Sequence, residues 1–573
     1  MTSKEAGLAE RAAVVREGTN GRVKQITLDL GSPTLPESWQ TAPGPAAEPS
    51  PGLALVSLKF LTRLALAAAI VSVTLNLGFL VYDLHHKSYG DGPMLAMCER
   101  LRAEPISPEW MRKPPYTLSC YGPAFYYFTN ALAELGGWRH SLEPGRIVSL
   151  LAALAAAAFA AVAAGRQTKS AEIGLLAALM FMTSAPFSEW TPHARVDMLG
   201  IACAAAAFMV VGKSRRSLIV AACCIAAGSL SKPTIALSAA PIFAHLLANR
   251  RYRDAGVFAA SVAALGAAVW AAVEWASHGF FLTAVLTGNR NPMLPWHGYF
   301  FLYQFLSFPI GAVSVLVVGQ LLIASPQRFF RSLYSLGFAV SLAISLVAIC
   351  KQGAELNYFL EASLLGALAI AVDGVPRFCL PGPRRGLVVM ACTALVLGLP
   401  YAREVKHQYH EPAEQPKYYD MIENYLADES PEVELLADGR MVDAVLAAGR
   451  TPWLNDSYLY MLMVDNGTID PSPLLDRMRD GRIKWLFLRK DYQDHVEAST
   501  RQGNCWPVQV LDAFPRYYEL VEKGNGLWVY RHRSYGVDST GRGAPANAPR
   551  RRQTPPGRRP AESGAPRPRS FRS

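Results

Sequence analysis

Charged side chains recur where long apolar segments of this sequence begin or end. A charge at membrane depth costs on the order of 3 kcal/mol unless it is paired or solvated, so each such group is a candidate functional residue. Cations and carboxylates gathered at one depth could together bind a phosphate and move a proton. In chain order these residues are Asp91, Arg195, Asp197, Lys232 and Glu361.

Each of these residues also has a purely structural interpretation. Arg195 and Asp197 could form an ion pair at a helix end, and Lys232 could extend its ammonium group to the lipid head groups. Asp91 lies between two glycines and could be a turn residue, while Glu361 could pack against an arginine. Their joint placement near one membrane boundary favours a shared site.

The composition favours a polytopic membrane protein over a soluble globule. Of the 573 residues, 51% are hydrophobic and 18% are charged. Apolar runs approach the roughly 20 residues that a helix needs to cross a bilayer, which predicts an α-helical protein with about 11 transmembrane helices. The predicted spans lie near 58–82, 146–165, 171–187, 197–212, 217–231, 234–249, 255–276, 299–323, 332–350, 358–373 and 386–401.

The distribution of lysine and arginine between the loops predicts the orientation. Cytoplasmic loops retain positive charge during membrane insertion. We therefore expect the N-terminus inside, and the loop 83–145 and the chain after residue 402 outside. The loops expected in the cytoplasm are those around 166–169, 213–216, 250–253, 328–331 and 377–385.

Composition divides the chain into four regions. Residues 1–55 form a polar segment expected to be cytoplasmic and disordered, and 56–403 form the transmembrane domain. Residues 404–534 alternate strand-like and helix-like runs, which predicts a small extracytoplasmic α/β domain. Residues 535–573 form an arginine- and proline-rich tail expected to be disordered. Because much of the net charge of +11 lies in this tail, it does not indicate nucleic-acid binding.

Helices and strands are also predicted outside the spans. In the first outer loop, "PMLAMCERLRAE" and "PAFYYFTNALAELGG" have helical spacing, and we expect both helices along the membrane surface. In the C-terminal part, "VELLAD", "IKWLFLRK" and "GLWVYRH" are typical of strands, whereas "MVDAVLAAG" and "PLLDRMRDG" are typical of helices.

An ordered set of stretches between about residues 75 and 375 resembles a known superfamily. They read "YGDGPMLAMCERL", "YGPAFYYFTNAL", "EPGRIVSLLAAL", "ARVDMLGIACAAAAF", "SKPTIALSAAP" and "AELNYFLEASLLGALAIA". The set is similar to the GT-C superfamily of polyprenyl-phosphate-sugar glycosyltransferases, especially the bacterial branch of lipid A aminoarabinose and lipopolysaccharide galacturonic acid transferases and protein O-mannosyltransferase relatives.

The resemblance implies an environment and substrates. The expected environment is the bacterial inner membrane. The expected partners are a polyprenyl-phosphate-sugar donor and a cell-envelope acceptor, which could be a glycolipid, a polysaccharide or a protein.

The resemblance also implies residue roles. Asp91 takes the acidic position of the first outer loop, where the family has its catalytic or metal-assisting carboxylate. Asp197 matches the acid of an R-x-D motif, and Lys232 matches the lysine that contacts the carrier phosphate. Asn357 and Tyr358 fall at the tyrosine-containing entry to a late helix.

Two glycines depart from the family pattern. Gly90 precedes Asp91 where many relatives have a second acid, so a paired-acid mechanism is not expected. Gly122 stands where some relatives have a lysine before a Pro-x-x-Tyr-Tyr segment.

Sugar transfer requires that the charge of the departing phosphate be stabilised. We expect Lys232 and Arg195 to supply that charge, and Asp91 to take the proton of the acceptor hydroxyl. A divalent cation, Mg²⁺ or Mn²⁺, between Asp91 and the donor phosphate is an open alternative. Arg290, in an outer loop, and Glu361 are further predicted substrate-binding residues.

Other classes of membrane protein use similar features. A transporter or flippase also has intramembrane charges and broken helices, although this sequence lacks a visible two-fold repeat. A lipid-linked saccharide polymerase or ligase would also use large outer loops and basic residues.

The predicted base can be tested by the change Asp91→Asn. We expect turnover to fall by about 10²–10⁴-fold, because general-base assistance is worth that much, while the protein remains folded. Sugar transfer by the purified variant, with a thermal melt as the folding control, is the measurement. Near-normal turnover would remove Asp91 from this role.

Overall fold

The computed structural model describes residues 91–374, 415–492 and 505–536. The predicted spans at 58–82 and 386–401, the N-terminal segment and nearly all of the arginine-rich tail lie outside these residues. The other predicted spans each coincide with a helix or a pair of helices.

The first outer loop contains three helices, α1 (Gly92–Ala103), α2 (Glu109–Arg112) and α3 (Ala124–Gly136). Both helices predicted in this loop are therefore confirmed. The helix α3 ends at Gly137, whose positive φ of 66° suits a residue without a Cβ atom.

The apolar body consists of the helices that follow. They are α4 (Glu143–Thr168), α5 (Ala171–Met182), α6 (Ala185–Trp190), α7 (Asp197–Val210), α8 (Arg215–Ser229), α9 (Ala239–Ala248), α10 (Tyr252–Ala276), α11 (Phe280–Thr287), α12 (Pro295–Ser307), α13 (Pro309–Ala324), α14 (Pro326–Arg331), α15 (Leu333–Ile349) and α16 (Leu360–Ala369). Short 3-10 turns at Pro233–Ser238 and Leu356–Phe359 precede α9 and α16, and a π turn at Ile370–Gly374 follows α16.

Small side chains let the central helices approach closely. The helix α4 packs against α5 and α7, and its inner face is a row of buried alanines that includes Ala153, Ala156 and Ala160. This is the pattern expected of helices that associate inside a bilayer, where packing replaces the hydrophobic effect as the driving force.

Three described helical segments are long and apolar enough to cross a membrane, namely Glu143–Thr168, Tyr252–Ala276 and Leu356–Gly374. The span predicted at 299–323 falls on α12 and α13, which meet at an angle of 92° and together form either one broken span or a re-entrant loop. Phe308 is extended between them, as a residue before a proline tends to be, and Pro309 cannot continue the hydrogen bonding of α12. The total number of spans stays a prediction.

The C-terminal region, residues 415–492 and 505–536, contains a four-stranded sheet. Its strand order is β1-β2-β4-β3, with β1 parallel to β2 and the other neighbours antiparallel. The strands are β1 (Glu434–Ala437), β2 (Ile483–Leu488), β3 (Tyr518–Gly524) and β4 (Leu527–His532), and the helices are α17 (Gln415–Ala427), α18 (Val442–Ala447), α19 (Ser457–Asp465), α20 (Ser472–Arg479) and α21 (Val508–Tyr517).

The strand patterns predicted from sequence fall on β1, β2 and β4, and the helix patterns fall on α18 and α20. The edge strand β3 was missed. Most of its side chains are exposed, so its sequence "YELVEKG" lacks the apolar alternation that marks a half-buried strand.

The first outer loop and the C-terminal region share one apolar core. Trp110 and Leu118 from the loop are fully buried in the same cluster as Leu435 and Tyr460 from the C-terminal region. The loop thus packs against the C-terminal region, and this shared core holds the two together.

The glycine after Asp91 is required by this contact. A Cβ atom on Gly92 would lie 2.8 Å from the backbone nitrogen of Asp443 and 3.0 Å from the carbonyl oxygen of Gly439. A side chain at residue 92 would therefore push α1 away from α18.

The change Gly92→Ala tests this packing. We expect a lower melting temperature in detergent, because backbone atoms cannot move aside as a flexible side chain could. Gly256→Ala in α10 is the matched control, since its Cβ meets nothing within 4 Å, and alanine is the better helix former. Equal melting temperatures for Gly92→Ala and wild type would contradict the argument.

Candidate functional site

A cavity of about 380 Å³ lies where the apolar helices meet the C-terminal region. Its walls come from the first outer loop, from breaks between helices and from the C-terminal region. The lining includes Tyr121, Arg195, Lys232, Lys351, Tyr358 and Asp456.

Lys232 lies at a break that its own sequence dictates. The helix α8 ends at Ser229, and Pro233 starts a 3-10 turn, so the backbone of Lys232 between them is extended. Ser231 Oγ donates a hydrogen bond to the carbonyl oxygen of Val196 at 2.7 Å, which ties this break to the start of α7.

This hydrogen bond brings together residues from three chain segments that the sequence analysis predicted for one site. Lys232 Nζ lies 2.6 Å from Asp197 Oδ1, and Asn357 Nδ2 donates to the same oxygen at 2.8 Å. Lys232 Nζ also lies 4.5 Å from the ring centroid of Tyr358. The side chains of Lys232 and Asp197 are 8% and 3% exposed, so the ammonium group is held by a carboxylate and a ring face at the cavity wall.

Asp91 has a different environment. Its carboxylate is fully buried and lies 3.4 Å from His193 Nδ1, 3.5 Å from an Arg146 guanidinium nitrogen and 3.6 Å from Arg195 Nε. Burial by itself raises the pKa of Asp91, but His193 and the two guanidinium groups outweigh it and hold that pKa below its usual value. Asp91 is not among the residues that line the cavity, whereas Arg195 is.

Arg195 therefore connects the buried carboxylate to the cavity. Its guanidinium carbon lies 5.2 Å from the ring centroid of Trp190, which also lines the cavity. The backbone of Arg195 is fixed on the other side, since Ser149 Oγ accepts from Arg195 N at 3.1 Å. The Asp91 carboxylate and the Trp190 ring contact the guanidinium group itself and hold it at the cavity wall.

The residues around Asp91 do not fit a divalent cation. Two guanidinium groups approach its carboxylate, and like charge would repel a metal ion there. Among the residues that the structure describes, no group of three or more His, Cys, Asp or Glu side chains could hold a metal ion. We therefore derive no step through Mg²⁺ or Mn²⁺.

The two further predicted substrate-binding residues, Glu361 and Arg290, lie at different distances from the cavities. Glu361 accepts a hydrogen bond from Ser238 and lines a smaller adjacent cavity of about 60 Å³, which Asp197 and Lys232 also line. Arg290 is exposed and does not line either cavity, although its neighbours Asn289 and Asn291 line the larger one. The structure thus brings Glu361 close to the predicted group and leaves Arg290 outside it.

Lys351 is a cavity residue that the sequence reasoning did not select. It follows α15, and its Nζ donates to Asn289 Oδ1 at 2.6 Å. The sequence contained a signal, because Lys351 is one of few basic residues expected on the outer side. Its loop is polar, however, so the charge did not stand out against an apolar background.

Gly122 lies where the backbone of the first outer loop contacts the backbone at Leu230 and Ser231, which leaves no room for a side chain. A Cβ atom on Gly122 would lie 2.0 Å from the carbonyl oxygen of Leu230. Gly122 N donates to Ser231 O at 3.1 Å, and Ala124 N donates to Leu230 O at 3.0 Å. The lysine that some relatives carry at this position could not fit here, so the cations of this cavity come from other segments.

The pairing of Lys232 with Asp197 can be measured by a double-mutant cycle. Asp197→Ala leaves a buried ammonium group without its carboxylate, which we expect to cost about 3–5 kcal/mol of unfolding free energy. Adding Lys232→Met should recover much of that loss, and chemical denaturation in micelles gives the values. Additive effects would contradict a direct pair. Glu109→Ala, which removes the exposed partner of Lys113, is the control and should cause no measurable change.

Comparisons with known proteins agree with this architecture. Residues 121–276 match the family of dolichyl-phosphate-mannose-protein mannosyltransferases, and no curated protein matches the sequence. The fold is similar to ArnT from Cupriavidus metallidurans bound to undecaprenyl phosphate, with a TM-score of 0.51, 14% identity, and coverage of 84% of this chain and 98% of that one.

The fold is also similar to the oligosaccharyltransferase of Archaeoglobus fulgidus, with a TM-score of 0.52, 11% identity, and coverage of 86% of this chain and 76% of that one. At such identities the similarity shows the fold, and the family match covers the segment from Tyr121 to Ala276, which contains Arg195, Asp197 and Lys232. The resemblance to the GT-C glycosyltransferases is thereby confirmed, and this chain has their fold.

Proposed function

We propose that this protein is an integral membrane glycosyltransferase that moves a sugar from a polyprenyl-phosphate donor to a cell-envelope acceptor. We place the reaction on the extracytoplasmic face of the bacterial inner membrane, with the C-terminal region outside. One observation carries the proposal: a cavity with Lys232, Arg195 and Lys351 in its wall lies where apolar helices meet a polar region. A ligand with a lipid tail and an anionic head fits such a boundary.

The similar proteins support the donor class. ArnT binds undecaprenyl phosphate in the structure to which this fold is similar, and the matching family is named for a dolichyl-phosphate sugar donor. Both are polyprenyl phosphates. A shared fold does not by itself determine function, so the alternative of a transporter or flippase is decided by assay.

The cations of the cavity are suited to the departing phosphate. When the bond between the sugar C1 and the phosphate oxygen breaks, the phosphate gains a negative charge, and fixed cations in a low-dielectric cavity stabilise it. Lys232 is already oriented by Asp197 and Tyr358, and Lys351 by Asn289. Such preorganised groups need little rearrangement as the charge develops.

Asp197 and Asn357 act through Lys232 in this proposal. Asp197 Oδ1 accepts from both Lys232 Nζ and Asn357 Nδ2, so Asn357 holds the carboxylate that sets the position of the lysine. Glu361, in the adjacent cavity, would contact a different part of the donor. The predicted role of Arg290 has less support, since its side chain is outside the lining.

Asp91 is suited to positioning Arg195. Its carboxylate offers the guanidinium group a buried counter-charge at 3.6 Å. The expectation that Asp91 itself takes the acceptor proton stays a prediction. Its full burial and its three basic neighbours favour an ionised carboxylate that stays where it is.

A transfer assay tests the proposed function. Membranes containing the protein are incubated with a radiolabelled polyprenyl-phosphate sugar, and label is sought on envelope glycolipid, polysaccharide and protein. We expect wild-type transfer, and a loss of about 10²–10³-fold in Lys351→Gln, the size found when one donor to a developing anion is removed.

The matched control is Lys213→Gln, because this exposed lysine does not line the cavity. It should transfer label as wild type does. Uptake of label into sealed vesicles without transfer would instead indicate a transporter. Unchanged transfer by Lys351→Gln would remove Lys351 from the phosphate site.

A further inference from the structure

Several hydrogen bonds between the C-terminal region and the first outer loop come from the segment "WLNDSYLY", residues 453–460. Tyr116 N donates to Trp453 O at 2.8 Å, and Asn455 N donates to Tyr116 O at 3.1 Å. The Asn455 side chain continues the contact, because its Oδ1 accepts from Leu118 N at 2.7 Å and its Nδ2 donates to Leu118 O at 3.0 Å. Asn455 is buried, so these bonds are shielded from water.

The same segment is anchored on its other side by Tyr458. The hydroxyl group of Tyr458 donates to Gln352 O at 2.9 Å and accepts from Asn291 Nδ2 at 3.0 Å. A Cβ atom on Gly353 would lie 2.6 Å from this hydroxyl oxygen. Tyr458 therefore fits tightly against the loop that carries Lys351.

Asp456 lies between these two anchors and lines the cavity. Its Oδ1 accepts the backbone N–H of Leu459 at 3.0 Å and so caps the start of α19. Burial raises the pKa of Asp456, and the nearby Asp438 carboxylate adds to this effect, while the backbone N–H groups of Leu459 and Tyr458 and the Arg195 guanidinium group oppose it without cancelling it. A raised pKa suits a group that must accept a proton near neutral pH.

The other acids of the site are placed less well for proton transfer. Asp91 is fully buried outside the lining. Asp438 also lines the cavity, but it is buried, with Ser457 Oγ at 3.3 Å from Oδ1 and Arg489 N at 3.4 Å from Oδ2, whereas Asp456 is partly exposed. Glu355 also lines the cavity, but on the side of the helices, where the donor lipid would lie.

We propose that Asp456, which belongs to the C-terminal region, takes the proton from the acceptor hydroxyl during sugar transfer. This inference rests on the proposed function. The hydroxyl oxygen bonds to the sugar C1 as the bond from C1 to the phosphate oxygen breaks. The electron pair of that bond leaves with the polyprenyl phosphate, toward Lys232 and Lys351, and the hydroxyl proton moves to the Asp456 carboxylate. Donor and acceptor thus meet between the apolar helices and the C-terminal region.

The change Asp456→Asn tests this role with little risk to folding, because asparagine is as good a helix cap as aspartate. The measurement is the pH dependence of kcat at saturating donor. The wild-type rate should fall toward acidic pH as the base becomes protonated. In Asp456→Asn we expect kcat to fall by about 10²-fold or more and the acidic decline to vanish, while binding of labelled undecaprenyl phosphate stays at the wild-type level.

Two matched variants separate the candidate acids. Glu355→Gln, in the same cavity, and Asp91→Asn, behind Arg195, should both keep the acidic decline even where their rates are lower. An acidic decline that persists in Asp456→Asn, or one that disappears in either of the other variants, would overturn the proposal. A wild-type protein that neither transfers sugar nor binds undecaprenyl phosphate would overturn the proposed function itself.

Discussion

Burial of charge between apolar helices is the constraint on which this site depends. Burying the charge of Lys232 or Asp197 alone at such low exposure would cost several kcal/mol, because each group loses its water. Paired at 2.6 Å, they satisfy each other, and Asn357 and Tyr358 complete their surroundings. This arrangement requires three helical segments to begin, end or break close to one another. The short helices and 3-10 turns of the apolar body provide these ends and breaks.

Close backbone contacts then build the cavity around this pair. Because Gly122 has no side chain, the first outer loop packs directly against the break that carries Lys232. Gly92 allows the same close contact between α1 and α18. Together with the shared apolar core of the loop and the C-terminal region, these contacts make the C-terminal region one wall of the cavity. Residues 91–142 of the first outer loop therefore form a structural layer that connects the apolar helices to the C-terminal region.

The two carboxylates that interact with Arg195 show how surroundings give identical side chains different roles. Asp91 is fully buried next to three basic groups and is held ionised. Asp456 faces the cavity from a helix N-terminus, where burial raises its pKa. The guanidinium group of Arg195 interacts with both. A change at either carboxylate would therefore alter the electrostatics of the other, and only measurements that report protonation can separate their contributions.

The sequence by itself determined the features that depend on local chemistry. Apolar runs located the helices, the gap between the predicted spans 217–231 and 234–249 placed a break at Lys232, and charge in an apolar background selected Lys232, Asp197 and Arg195. The fold decided what depends on distant contacts. Asn455 forms a hydrogen bond with Leu118, which is 337 residues away in the chain, and no local sequence pattern predicts such a pairing. The sequence analysis therefore missed Asp456 and Lys351. It also missed the burial of Asp91 and the bend at Phe308. Helix formation follows from neighbouring residues, whereas the exposure and charge state of a side chain are set by whatever segments the fold packs against it.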